Sequence, residues 1–321
     1  MIAHTDPPPA CIFSPMIPSG FDRGPTYGAA LMGEVLAIFF TGISTLQTWN
    51  YLRTFPGDRM SLKIFVLLVY TTDLVHTVLI VMLMYHYSID LFGDFSNIQK
   101  LTPVYPANSS LGIIVMFSVQ NFYCMRVYHV TGSRLIALPC WIVVLAEFAT
   151  AVWTVAMTAK DETVLTLIGI REFVRTPLIT AIAFAAATDV IIAACLCGGM
   201  FRMRSGIVST TKIVDKLIAF TIGSGLITGV VSVGELITYL TMDNLVYLVF
   251  DFLRAKVYAN ALLASLNARE ILRGEMRQAD RPSTRNSGTA STHLTFHNIH
   301  APEVGLSQMA ANDATCDSDK V

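Results

Sequence analysis

The sequence predicts an all-α integral membrane bundle of seven transmembrane helices, with the N-terminus outside and the C-terminus in the cytosol. Three observations carry that prediction. Of 321 residues, 53% are hydrophobic and 14% charged, whereas soluble domains carry about 25% charged residues. Seven runs reach the roughly 20 apolar residues that a helix needs to cross a 30 Å hydrocarbon core. Lys and Arg gather on alternate connections, which orients such a bundle. Mean hydropathy is +0.56 across the whole chain, polar ends included.

The runs are residues 28–51, 62–86, 110–130, 135–157, 177–201, 213–240 and 245–266. They are helices, because an open sheet cannot satisfy its backbone in lipid. The breaks are explicit: Phe55-Pro56-Gly57-Asp58-Arg59, Thr131-Gly132-Ser133-Arg134 and Thr241-Met242-Asp243-Asn244 are polar turns. One set of connections holds twelve Lys and Arg near helix ends, including Arg53, Arg59, Lys63, Arg134 and Arg202. The other set holds five: Arg23, Lys100, Lys160, Arg171 and Arg175. The excess places the first set in the cytosol. Localisation is therefore integral and multi-pass, with the plasma membrane the expected site.

Residues 1–27 read as a short external tail without the basic start and apolar core of a signal peptide. The first apolar helix is then expected to act as an uncleaved insertion signal. Residues 28–267 form the transmembrane domain. Residues 268–321 form a cytosolic tail, basic beside the membrane and then disordered, since it is rich in Ser, Thr, Asn and Asp and poor in aromatics. Asn108-Ser109-Ser110 is a glycosylation sequon on an external connection. Arg269, Arg273, Arg277 and Arg281 recur every four residues, and on a helix they make a basic stripe suited to anionic inner-leaflet lipid. An ordinary positive-inside flank explains the same residues. Pro282 should end that helix.

Polar groups at mid-membrane cost several kcal/mol when unpaired, so each marks either function or a packing network. Asp73 and His76 share a face of helix two. Gln120 and Asn121 are central in helix three, Glu147 in helix four and Asp189 in helix five. Helix seven holds Asp251, Arg254, Lys256, Tyr258 and Asn260. At 100° per residue, Asp251, Arg254 and Tyr258 share one face. Lys256, Asn260 and Asn267 share another, about 160° from Arg254. Helices one, two and seven are neighbours in most seven-helix rings, which points Asp73 and His76 at Lys256 and Asn260. Glu34 and Glu235 lie in the outer halves of helices one and six.

A specific resemblance emerges in the second half of the chain. Ala187-Thr188-Asp189-Val190-Ile191-Ile192-Ala193-Ala194-Cys195-Leu196 is followed by Arg204-Ser205-Gly206 and Val214-Asp215-Lys216-Leu217. The last span ends Lys256-Val257-Tyr258-Ala259-Asn260-Ala261-Leu262-Leu263-Ala264-Ser265-Leu266-Asn267-Ala268-Arg269. These segments resemble the seven-helix membrane proteins of basidiomycete fungi that carry domain of unknown function 6534, most closely over about residues 177–269. Gly42-Ile43-Ser44-Thr45-Leu46-Gln47 and Asp73-Leu74-Val75-His76 extend the likeness to the first half. The resemblance implies seven helices and membrane residence, and brings no ligand, reaction or cofactor.

A receptor or sensor is the leading functional reading, on architecture. The marks of rhodopsin-like receptors are incomplete: Arg126 and Tyr128 stand without the preceding acidic residue, and helix seven lacks Asn-Pro-x-x-Tyr. Lys256 invites a retinal Schiff base, but Asp251 is five residues before it and helix three has no carboxylate. A transporter or channel using the intramembrane carboxylate, His and Lys groups is the alternative. A membrane-structural protein with a packing polar network is another. An enzyme is not expected, since His76 is the one central histidine and no zinc-hydrolase motif is present. No metal or cofactor is expected. The six cysteines offer no external disulfide pair, and a net charge of −1 does not suit nucleic acid. The expected partners are the lipid bilayer and a ligand or protein that the sequence does not identify.

Overall fold

The computed structural model describes residues 28–92, 102–160, 174–202, 208–242 and 244–279. Every long element among them is helical: α1 (Ala29–Thr54), α2 (Met60–Tyr85), α3 (Val104–Thr131), α4 (Arg134–Lys160), α5 (Arg175–Arg202), α6 (Val208–Thr241) and α7 (Tyr247–Ala279). A π turn, His86–Asp90, extends α2. Each helix packs on its successor in the chain, and α7 returns to α1 and closes the ring. α3 also touches α5 and α7, and α2 also touches α7, so α3 and α7 form the centre. We call the end where α1, α3, α5 and α7 begin the upper end.

The turns follow from their residues. Phe55 closes α1, its N–H bonding Tyr51 O, and Pro56-Gly57 reverses the chain. Gly132 sits at φ 63°, the left-handed conformation that glycine adopts without a Cβ penalty, and its N–H bonds Tyr128 O. That single residue lets α4 start at Arg134.

The surface is inverted relative to a soluble domain. α1 turns Met32, Phe39, Leu46 and Trp49 outward and buries Gly33, Ala37, Thr41, Ser44 and Thr48. The buried residues recur at three and four, so they form one seam of small side chains that lets backbones approach. At Gly33 a Cβ would lie 3.0 Å from Val249 Cα on α7. Gly33→Val should therefore push α1 off α7 and cost about 1–3 kcal/mol, read as a lower thermal midpoint in detergent. An unchanged midpoint would mean the seam is not tightly packed.

Among the described residues, five helices are long and apolar enough to cross a membrane: Ala29–Thr54, Met60–Asp90, Val104–Thr131, Arg134–Ala159 and Arg175–Arg202. Gly225–Thr241 within α6 is a shorter apolar stretch. α7 carries Asp251, Arg254 and Lys256, yet Phe252, Ala255, Lys256, Tyr258 and Ala259 are each at most 2% exposed. Its polarity is enclosed by the other helices.

α7 runs on to Ala279, past the expected boundary at residue 267. Helix-favouring residues such as Ala268, Glu270, Leu272 and Met276 continue the pattern, and Pro282 lies just beyond. Arg273 and Arg277 fall on this extension. Arg281, the rest of the tail and residues 1–27 lie outside the described residues.

Candidate functional site

The two faces of α7 build two different polar centres. The face toward α1 and α2 holds Lys256, 0% exposed. Its Nζ donates to Asp73 Oδ1 at 2.7 Å, Asp73 O at 2.7 Å and Thr77 Oγ1 at 2.6 Å. Three acceptors match the three donors of an ammonium. Thr77 Oγ1 in turn lies 2.7 Å from Thr41 Oγ1 on α1, so one lysine ties three helices. Asp73 is also fully buried, and the pair satisfies the requirement that intramembrane charges be matched.

Asn260 and Asn267 continue the same face one and three turns on, but they do not join Asp73. Asn260 Nδ2 donates to Phe40 O at 3.1 Å and Asn267 Nδ2 to Gln47 O at 2.9 Å. Both carbonyls belong to α1, so these amides zip α7 to α1 instead of completing a charge site.

The opposite face points into the ring. Arg254 Nη1 lies 3.3 Å from Glu235 Oε2 on α6, and Nη2 lies 3.5 Å from Asp251 Oδ1 one turn away. One turn below, Tyr258 OH donates to Asp189 Oδ1 on α5 at 2.8 Å. Beside it, Gln120 Nε2 of α3 donates to Glu147 Oε2 of α4 at 2.8 Å. Five helices thus contribute to one layered centre. Among the described residues, four carboxyl groups, Asp251, Glu235, Glu147 and Asp189, surround the one guanidinium of Arg254.

A cavity of about 70 Å³ opens above this centre, walled by residues of α2 to α7. Tyr105, Ser109, Thr158, Tyr239, Tyr247, Asp251, Arg254 and His76 supply its polar wall, and Ile113, Met116, Val155 and Leu178 its apolar one. His76 reaches this wall because Gly112 on α3 lets the ring approach: a Cβ there would lie 3.3 Å from its Nε2. A second, smaller cavity of about 30 Å³ lies below Tyr258 between Gln120, Asp189, Leu196, Gly225 and Thr228.

Of the sequence candidates, the structure brings Asp73 to Lys256, Arg254 to Asp251, Gln120 to Glu147 and Tyr258 to Asp189. Asn121 stands apart and donates to Phe117 O of its own helix at 2.8 Å. His76 does not contact Lys256 through a hydrogen bond, and its Nδ1 has no partner among the described residues. Asn108 is 1% exposed inside α3, so a glycan has no room at its amide as packed. Arg269 is turned inward and away from a lipid stripe. It donates to Asp58 Oδ2 at 2.6 Å, beneath Tyr51 OH on the same oxygen, and stacks 4.4 Å over Phe55. The side chains of Arg273 and Arg277 lie outside the described residues.

Glu235 was readable as an outer-half carboxylate but not as the partner of Arg254. Its phase is set by Gly234, where a Cβ would fall 2.6 Å from the Phe250 ring of α7. Glycine beside an intramembrane acid was the available signal. Among the described residues no three His, Cys, Asp or Glu side chains converge to hold a metal ion.

The fold and its enclosed charges define a helical multi-pass membrane protein. A family described as "Family of unknown function (DUF6534)" matches residues 185–271, which takes in Asp189, Glu235 and the polar residues of α7. No curated protein and no solved structure matches.

Proposed function

We propose that the chain is a seven-span receptor or sensor-like membrane protein that takes a small ligand in the upper cavity. The observation that carries this is the cavity itself: about 70 Å³ with aromatic, apolar and charged walls, seated on the Arg254 centre. Ligand sites are characteristically concave, mostly apolar and furnished with a few convergent polar groups. α7 counts as a span on this reading, because its charges are paired within the bundle and do not meet lipid. The basic asymmetry of the connections then places the upper end outside and the tail in the cytosol.

A tag at residue 1 should be reachable from outside intact cells, and a tag at residue 321 should not. A cysteine at Ser109, on the cavity wall, should react with a membrane-impermeant thiol reagent added outside. Reversed tag labelling overturns the orientation. An unreactive Ser109→Cys removes the external cavity.

The second cavity favours one other reading. Tyr258, Asp189, Gln120 and Glu147 form a septum between two voids, as an alternating-access transporter would need. A receptor keeps that septum closed. Counterflow of a bound ligand in proteoliposomes, if seen, would select the transporter.

A further inference from the structure

We propose that the upper cavity binds a small organic cation, an ammonium carried on an apolar body, with its charge seated at Asp251. The inference rests on the ligand-cavity reading above and names the chemistry of that ligand.

The charges argue for a cation. Among the described residues, Arg254 is the one Lys or Arg on the cavity wall, and its guanidinium already faces two carboxylates, Glu235 at 3.3 Å and Asp251 at 3.5 Å. An anionic ligand would have to compete with both and sit beside Asp251. The three side chains set two carboxyl groups against one guanidinium, and Asp251, with 19% of its side chain exposed, is the carboxyl on the cavity wall. A group this enclosed gains most from a counter-charge that needs little hydration, since water is scarce there.

The walls argue for an organic body. Tyr239 and Tyr247 meet edge to face, 5.3 Å between ring centroids, at the cavity rim. Tyr105 completes an aromatic group of the kind that attracts ammonium through ring quadrupoles. Ile113, Met116 and Leu178 line the space beyond. A bare metal ion would need converging ligands, and no such set exists among the described residues.

His76 lines the same cavity, 2% exposed, with its ring packed against Gly112 of α3.

The test uses the full-length chain with Cys11→Ser and Cys316→Ser, purified in nanodiscs, and Ser109→Cys as reporter. An uncharged, water-soluble maleimide labels the reporter in the presence of 2-phenylethylamine, 2-phenylethanol or phenylacetate. These probes share one body and differ in charge. The amine should slow labelling, by about threefold at twice its Kd, and the alcohol and the acid should not. Asp251→Asn should weaken the amine's protection at least about tenfold, and Asp251→Glu should keep it. Equal protection by the alcohol, better protection by the acid, or none by any probe would overturn the cation assignment while leaving the cavity standing. A reporter that never reacts would remove the cavity and this inference with it. Should Asp251→Asn fail to fold, the three-probe comparison on the unsubstituted site decides alone.

Discussion

Lys256→Met should lower stability by about 3–5 kcal/mol, and Asp73→Asn by a similar amount, because each strands a buried charge. The double substitution should cost less than the sum, since neither charge is then left alone. The cause is the geometry at Lys256 Nζ, which spends all three donors on Asp73 and Thr77. Methionine approximates the lysine stem in length and makes no polar demand. The measurement is a double-mutant cycle on chemical or thermal denaturation in detergent. Strictly additive losses would show that the two residues do not couple.

Arg254→Leu should be comparably damaging, again about 3–5 kcal/mol, because it leaves Glu235 and Asp251 facing each other across an enclosed space. Arg254→Lys should not restore stability. The guanidinium addresses two carboxylates on different helices through two nitrogens, and an ammonium is a single point charge. Glu235→Gln in the Arg254→Leu background should recover part of the loss. A fully stable Arg254→Leu variant would show that some other cation neutralises these carboxylates.

The helices were readable because the membrane imposes a length and excludes unpaired backbone. Runs of about 20 apolar residues ended by Pro56-Gly57 or Gly132 leave little choice of secondary structure. The Lys256–Asp73 contact was readable too, because a lysine in the middle of a span must find an acid, and α2 neighbours α7. The Arg254–Glu235 pair was not. It depends on the rotational phase of α6 against α7, which the Gly234–Phe250 contact sets and no periodicity reveals. Arg269 misled for a different reason. Four-residue spacing describes a surface stripe, but its partner Asp58 lies 211 residues away in a turn between α1 and α2. The cavities were illegible altogether, since a void is made by the absence of side chains from several helices at once.

The Asn260 and Asn267 contacts to α1 carry a consequence for how this gene can change. From Asp251 to Asn267, α7 answers to two surfaces at once, and every tie depends on the same angular phase. A substitution can break one tie and spare the others. Gain or loss of a single codon in this stretch would turn everything downstream by about 100° and shift it about 1.5 Å along the axis. Lys256 and Asn260 would leave α1 and α2 together, and no neighbouring residue would inherit their partners. Length variation should therefore be purged from this stretch while remaining tolerable at the connections. Across descendants of this sequence, α7 should keep its length while single residues along it change.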